Sequence, residues 1–559
     1  MRLELLYCDD DLVAVNKPAG LPTHAPQDDP ALADVVSLLK AQLGGDYLGV
    51  HQRLDRDTSG VLLFARRPAA NAALAAAFAG RSVSKRYLAL VHGTPDRRSG
   101  TISAALAPAK NGLMQVAGLN DRRAQEAATD YAVLAHTPDR RLALLELRPH
   151  TGRTHQIRVH LLHIGHPVVG DPLYDAGRPA PRLMLHAQEL RLAHPNGGDL
   201  AIAAPPPALF GRAAQGLPEL DDRSGEAAAA GLVELAAERR APLSADPATS
   251  IYRVFHGPGD GATNAILREW TVDRAGDVLI ASCYDERVRQ LPAELREALA
   301  RTWQPRAIYA KYRPRTAAQV GEAELAELAP VAPAWGAAAG EVDGQEEGLW
   351  FRVRPADGLS VGLYADMRET RQRVRRWAAG RELRVLNTFA YTCAFGVAAL
   401  ADAPQAQVTN LDLSRRSLDW GRENYALNGL AAGERDFVFG DVFDWLGRWV
   451  RQGRRFDLVI LDPPSFARNR GKRWRAERDY AELAELAARL IAPDGMLVAC
   501  CNHAGLDRRA FRAEVERGIA ASGWPGAITA GFGASPIDYP TAGGAESHLK
   551  IILAQEGGR

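Results

Sequence analysis

Short apolar runs separated by turn residues dominate the first two hundred positions. Leu12–Asn16, Gly60–Ala65, Tyr87–His92 and Leu142–Leu147 each read as a strand, rich in Leu, Val and Ala and punctuated by Gly, Pro, Asp and Ser. Helical periodicity is scarce between them, the clearest case being Asn71–Phe78. This pattern predicts an α+β domain over 1–204, a mostly antiparallel sheet with helices packed on it. Residues 205–225 begin with three prolines and continue through Pro, Gly and charge with no apolar period, which predicts a linker. A helix rich in Ala, Leu, Glu and Arg is predicted over 226–240. From Ile251 to about Gly362 strands and hairpins return, around a Gly-Pro-Gly-Asp-Gly turn at 257–261, and 226–365 reads as a small β-rich domain. Beyond it, helices alternate with strongly apolar strands at Leu383–Phe389, Gln407–Asp412, Phe456–Asp462 and Met496–Cys501. That alternation predicts an α/β, Rossmann-like domain with a parallel, doubly wound sheet over 366–559.

Composition narrows the class. At about 150 residues per domain, 559 residues imply three or four domains. With 47% hydrophobic and 24% charged residues the chain has the make-up of a globular protein and cannot be wholly disordered. It contains no apolar run of about 18 residues, and its first residues lack the basic and apolar stretches of a signal peptide. Five cysteines without a CxxC pair argue against a disulfide framework or a zinc knuckle. These features predict a cytoplasmic multidomain protein without a membrane partner. The formal net charge of +1 hides local excess: residues 51–200 hold 20 Lys/Arg against 12 Asp/Glu, and 468–478 hold six basic residues and one acid. Either stretch alone is commonly a solvated face. Two of them beside two clusters of chemically suggestive residues favour a phosphate backbone as partner.

In the N-terminal block the run His51-Gln52-Arg53-Leu54-Asp55-Arg56-Asp57-Thr58-Ser59-Gly60 resembles the signature of the RluA family of RNA pseudouridine synthases. Asn16-Lys17-Pro18-Ala19-Gly20-Leu21, Lys85-Arg86-Tyr87-Leu88-Ala89, His150-Thr151-Gly152-Arg153-Thr154-His155-Gln156-Ile157-Arg158 and Gly170-Asp171-Pro172-Leu173-Tyr174 extend the resemblance in order. The family converts uridine to pseudouridine by breaking a glycosidic C–N bond, turning the base and rejoining it through carbon. A carboxylate can serve that reaction as nucleophile or base without metal or cofactor. By resemblance Asp55 is that carboxylate, Arg153 is its ionic partner and Tyr87 stacks on the base, with no cofactor implied. Arg53, Arg56, Arg158 and the histidine-rich stretch from His150 to His166 are candidates for holding the RNA backbone while the base is flipped. The histidines at 150, 155, 160, 163 and 166 fit no common zinc spacing. The sequence departs from the family at Gln52, which separates His51 from Arg53 and puts the role of His51 in doubt.

The C-terminal block has the ordered features of a class I S-adenosylmethionine-dependent methyltransferase. Asn387-Thr388-Phe389-Ala390-Tyr391-Thr392-Cys393-Ala394-Phe395-Gly396 forms a small-residue turn into a helix. Asp412 ends the next strand, where it can accept from ribose hydroxyls, and Asp441 is placed for the adenine amino group. Asp462-Pro463-Pro464-Ser465-Phe466 would lie under the acceptor base. With Tyr252–Gly261 and Val361–Arg368, this stretch resembles the bacterial large-subunit ribosomal RNA methyltransferases typified by a 5-methylcytosine enzyme. The resemblance implies that Tyr364, Asp366, Arg368, Asn387, Phe389, Tyr391, Thr392, Gly396, Asp412, Asp441 and Asp462 line the cofactor pocket. It makes 226–365 an RNA-binding accessory domain. Two departures are visible: the pseudouridine synthase block stands where that family carries a PUA RNA-binding domain, and Cys393-Ala394 replace two glycines.

The methylated atom is left open by the residues. Cytosine C5 needs a thiolate to add at C6, for which Cys500 and Cys501 are candidates; they read equally as buried strand residues. Asn502 falls where guanine-methylating relatives carry asparagine, so guanine N7 or an exocyclic amine is the alternative. The leading reading is a bifunctional enzyme acting on structured, ribosomal RNA. Its rivals are a chain with one active half and a non-catalytic RNA-binding assembly factor. The target nucleotides and the oligomeric state are not encoded in any motif.

Overall fold

The computed structural model describes residues 2–25, 33–45, 47–80, 82–109, 112–118, 120–175, 180, 182–212, 225–262, 267–313, 322–464, 466–469, 472–503, 505–541 and 545–556. The N-terminal part is a ten-stranded, mostly antiparallel sheet flanked by helices, the α+β arrangement its pattern predicts. Strand Ser59–Ala65 is buried along its whole length, because Leu62 and Phe64 enter one apolar cluster while Val61, Leu63 and Ala65 enter another on the opposite face. Leu12–Lys17 pairs with it antiparallel, Lys17 opposite Gly60. Leu185–Ala193 runs parallel to it with Ala187 opposite Gly60, and Ala187 in turn faces Tyr87, which faces Leu147. One row across the sheet therefore carries Lys17, Gly60, Ala187 and Tyr87. Gly60 has φ 111°, and a β-carbon there would collide with the Ala187 carbonyl oxygen, so only glycine permits this pairing.

Helix Gly225–Arg239 follows a short helix, Ala208–Arg212, inside the segment read as linker. Next comes a five-stranded mixed sheet of Ile251–His256, Trp270–Ala275, Val278–Cys283, Ala307–Tyr312 and Trp335–Gly336, in that order. Its third and fourth strands are parallel, which requires a crossover; helix Ala293–Trp303 supplies it where the sequence suggested only hairpins. A hairpin, Val342–Glu346 with Leu349–Val353, leads onward.

The last sheet has seven strands in the order Phe437–Phe439, Gln407–Asp412, Arg384–Thr388, Phe456–Leu461, Ile491–Cys501, Lys550–Gln555, Ala527–Phe532. Only Lys550–Gln555 is antiparallel to its neighbours. The order reverses between Arg384–Thr388 and Phe456–Leu461, and ligands of doubly wound sheets bind at the carboxyl ends of strands at such a point.

The parts share interiors. One cluster joins Val13, Leu21, Leu54 and Phe64 of the first sheet to Leu232, Val254, Trp270 and Leu295 of the second and to Ile537 near the C-terminus. Beside it lies a fully buried polar network. Asp538 receives both guanidinium arms of Arg368 at 2.8 and 2.7 Å, and its carbonyl accepts from Arg240 at 2.9 Å. Arg240 also donates to Asp260 (2.6 Å) and to the Arg253 carbonyl (2.9 Å). Removing one member strands buried charge. Asp538→Ala is expected to lower stability by about 3–5 kcal/mol, read as a fall in the denaturant midpoint; an unchanged midpoint would show that the network is not structural.

Candidate active sites

Asp55 stands on the turn between Leu54 and the strand Ser59–Ala65, and motifs distant in sequence hold that turn. The Thr23 hydroxyl donates to the Leu54 carbonyl (3.0 Å). The buried Lys17 ammonium donates to the carbonyls of Pro18 (2.9 Å), Leu21 (2.6 Å) and Arg56 (2.7 Å). Burial brings Lys17 down to about 7, against the pull of Asp57 and Asp55. The Gly20 amide donates to the Arg56 carbonyl at 2.9 Å. The Asn16–Leu21 motif is thus the clamp of the Asp55 turn.

The Asp55 carboxylate, 28% exposed, accepts from Arg158 Nη1 at 2.9 Å. Arg158 is 4% exposed, and its Nε and Nη2 both donate to Asp171 at 2.7 Å. This revises two sequence expectations. Arg153 is not the ionic partner of Asp55: it lies in the turn before helix Gln156–His163 and its Nε donates to the Glu126 carbonyl at 3.2 Å. Arg158, the third residue of that helix, is turned inward and buried, so it is closed to an RNA backbone; Arg53 and Arg56 remain exposed. The His51 ring bonds Asn71 at 2.9 Å and stacks on Phe78, which places it beside the helix Asn71–Ala79. Tyr87 packs between two apolar clusters, and burial together with the Asp55 charge raises its phenol far above the usual value. His155, expected only among the histidines facing the RNA backbone, and Tyr174, given no role by the sequence, complete the surroundings: His155 Nε2 lies 4.0 Å from Asp55, and its Nδ1 is 2.9 Å from the Tyr174 hydroxyl. Their signal was membership in the matching motifs. Among the described residues no group of three or more His, Cys, Asp or Glu could hold a metal.

The second centre is a cleft of about 1720 Å³ at the switch point, walled by the C-terminal sheet and by the mixed sheet before it. Tyr364, Asp366, Phe389, Tyr391, Thr392, Asp412, Asp441, Asp462, Pro463, Pro464 and Asn502 from the sequence-based set line it. In the turn after Arg384–Thr388, Phe389, Tyr391 and Cys393 have φ of 54°, 48° and 59°. Three left-handed non-glycine residues in five positions are backbone strain held at a functional turn. The Cys393 side chain is buried away from the cleft, and Gly421 makes room for it, since a β-carbon there would meet its sulfur. Asp412 accepts from the amides of Tyr391 and Ser414, both at 2.8 Å, and burial raises its carboxyl. Asp441 caps helix Val442–Arg451. Asp462 accepts no hydrogen bond from a described residue; burial, reinforced by Asp366, takes it to about 7.

Other expected members lie elsewhere. Arg368 is held in the buried pair with Asp538. Asn387 is buried and donates to Asn410 at 2.9 Å. Gly396 serves packing, because a β-carbon would strike the Tyr425 hydroxyl and Asn410. Cys500 and Cys501 are 0% and 3% exposed on a strand whose residues alternate between faces: Cys500 belongs to one apolar cluster and Cys501 to the opposite one. Burial pushes both thiols up. The Phe466 side chain and Ser465 lie outside the described residues. On the far wall, Arg253 and His256 belong to the Tyr252–Gly261 motif, whereas Tyr539 and His548 carried no recognisable sequence signal.

Asp366, Asp412, Asp441 and Asp462 stand among the acids lining this cleft, Asp412 and Asp462 raised by burial, which suits a cationic ligand such as a sulfonium nucleoside. The volume exceeds the roughly 300–1,000 Å³ of ordinary ligand pockets and leaves room for an acceptor base. The fold and the two centres define the class: a base isomerase joined, through the mixed-sheet region, to a class I methyltransferase. Known proteins agree. A family model for RNA pseudouridylate synthase matches residues 11–163, and one for S-adenosylmethionine-dependent methyltransferase matches 252–522. tRNA pseudouridine synthase C of Vibrio vulnificus is 38% identical over 212 residues, 34% of this chain and 86% of that protein. Ribosomal RNA large subunit methyltransferase I of Erwinia tasmaniensis is 36% identical over 247 residues, 44% of this chain and 59% of that protein, so the chain spans less than two thirds of it. The crystal structure of SMU.776 complexed with SAH aligns with a TM-score of 0.52 at 25% identity, covering 59% of this chain and 82% of that one. The chain belongs to the RNA pseudouridylate synthase family in its N-terminal part and to the S-adenosylmethionine-dependent methyltransferase family in its C-terminal part. Among the described residues no helix is long and apolar enough to cross a membrane.

Because Asp462 is half protonated at about 7, a cationic cofactor should favour its ionised form and take up the cleft more tightly as pH rises through that value. Calorimetry with S-adenosylmethionine from pH 6 to 8 should show affinity increasing, and Asp462→Asn should flatten the slope. A parental protein with no slope would contradict this account.

Proposed function

We propose that the chain isomerises a uridine to pseudouridine at Asp55 and methylates a base at the switch-point cleft, both in structured, ribosomal RNA. The observation that carries the first activity is the Asp55 carboxylate held by buried Arg158 at 2.9 Å in a partly open site beside Tyr87. The pair fixes the direction in which the carboxylate faces. The isomerisation runs on side chains alone in this reading, and the exposed Arg53 and Arg56 beside Asp55 are placed to grip phosphates. The ribosomal target follows the names of the relatives on the methyltransferase side, whereas Vibrio tRNA pseudouridine synthase C is named for tRNA.

S-adenosylmethionine supplies the methyl group when bound. Asp412 and Asp441 are proposed to hold its ribose and adenine, with Tyr364, Phe389 and Tyr391 as apolar walls. The acceptor is proposed to be a base nitrogen, a guanine N7 or an exocyclic amine. Carbon methylation requires a thiolate facing the base, whereas Cys500 and Cys501 are buried and Asn502 lines the cleft.

Asp55→Asn should abolish pseudouridine formation while leaving RNA affinity near parental, because it removes a reactive carboxylate and keeps its shape. Nucleoside mass spectrometry of treated ribosomal RNA reads this, and parental activity in the variant would refute the assignment. On the methyltransferase side, Asp412→Ala should weaken cofactor binding by about 1.5–3 kcal/mol with pseudouridine formation intact. The Cys500→Ala, Cys501→Ala double variant should still methylate; loss of methylation with cofactor binding retained, or a covalent adduct of the parent with 5-fluorocytosine RNA, would return the acceptor to cytosine C5.

A further inference from the structure

His155, expected to face the RNA backbone, stands instead beside the Asp55 carboxylate. It sits at φ 53°, in the left-handed region, immediately before helix Gln156–His163, and its side chain is 15% exposed at the Asp55 site. Its tautomer follows from its neighbours. The Met114 amide donates to the Tyr174 oxygen at 2.9 Å, so that oxygen is already an acceptor. The Tyr174 proton is satisfied by donating to His155 Nδ1, 2.9 Å away. The hydrogen of the neutral ring then resides on Nε2. Burial lowers the His155 pKa and keeps the ring neutral near pH 7. Nε2 lies 4.0 Å from the nearer Asp55 oxygen, beyond hydrogen-bond reach, and no described residue accepts from it. The site therefore holds a fixed, unused N–H donor beside the carboxylate.

We infer that His155 Nε2–H donates to a carbonyl oxygen of the uracil as the base detaches, making His155 a catalytic residue of the isomerisation. This rests on Asp55 being the reacting carboxylate. Breaking the C1′–N1 bond leaves its electron pair on the ring, shared by N1, O2 and O4, while Asp55 compensates the electron-poor C1′. Rejoining through C5 returns a pair to C1′; overall the C5 proton is lost and N1 gains one. His155 keeps its own proton throughout. Of the other groups at the site, Arg158 is committed to Asp55 and Asp171, and Tyr87 packs half-buried between two apolar clusters. A donor 4.0 Å from the group that serves C1′ is within reach of O2, the carbonyl next to N1. Stabilising the charge that develops there is the work of an oxyanion-hole donor.

The test uses the full chain with large-subunit ribosomal RNA transcripts carrying tritium at uridine C5, whose loss reports completed isomerisation. Parallel transcripts carry 5-fluorouridine, which can detach and rejoin but has no C5 proton to lose. His155→Asn suits the left-handed backbone but falls short of the base. It should slow single-turnover tritium release and 5-fluorouridine consumption alike by roughly 100-fold, with RNA affinity unchanged. His155→Gln, which offers an N–H on a longer arm, should recover most of the rate. Tyr174→Phe leaves the strained backbone untouched and frees the tautomer, so its rate relative to the parent should climb as pH falls from 8 to 6 and protonation restores Nε2–H. Parental rates in His155→Asn overturn the inference. So does slowed tritium release with normal 5-fluorouridine consumption, which would put His155 at C5 proton removal. Asp55→Asn run alongside separates the two failures: if it stays active, the site assignment itself falls.

Discussion

A charge that water cannot reach must be paired, and the joining of this chain's parts follows from that constraint. Asp538, fully buried, is satisfied only because Arg368 comes from the helix after the β-rich region and Arg240 from the helix after the first domain. Arg240 in turn needs Asp260 and the Arg253 carbonyl. Each guanidinium is a planar fork of five N–H donors, and at Asp538 the Arg368 fork pairs with both carboxylate oxygens, which an ammonium could not do. The network fixes how the segment 534–541 lies: Pro536 packs over Gly20, Ile537 shares a core with Leu21 and Leu54, and Tyr539 and Pro540 line the methyltransferase cleft. Eight residues thus touch the clamp of one catalytic turn and the wall of the other cleft.

The two centres treat carboxylates in opposite ways. In the first, Arg158 is shared between Asp171 and Asp55, so the Asp55 carboxylate is paired and oriented by the protein itself. In the second, Asp412 and Asp462 are half-buried with no described cation bonded to them, and their carboxyls are raised. Acids without a bonded counter-charge suit a ligand that brings its own positive charge.

Both centres also store local strain. His155 in the first, and Phe389, Tyr391 and Cys393 in the second, occupy left-handed conformations without being glycine. At Cys393 the sulfur is buried against Gly421, whose missing β-carbon leaves room for it.

Much of this was legible in the chain itself. Period-two and helix–strand alternation gave the α+β and α/β classes, since one-sided or two-sided burial imposes those patterns on any sequence that folds so. Asp55, Asp412, Asp441 and Asp462 were legible because each sits within a few residues of a turn that the motif itself encodes. What the sequence could not decide was which arginine meets Asp55. Arg153 and Arg158 are five residues apart, and only the start of helix Gln156–His163 turns one outward and the other in. Nor could it decide what the cysteines face: strand alternation put Cys500 and Cys501 into opposite cores and left Asn502 as the residue at the cleft. Arg368 looked like a cofactor ligand until Asp538, 170 residues away, claimed it. Local chemistry is written in neighbours along the chain, whereas partners are chosen by long-range packing, and that choice belongs to the tertiary structure.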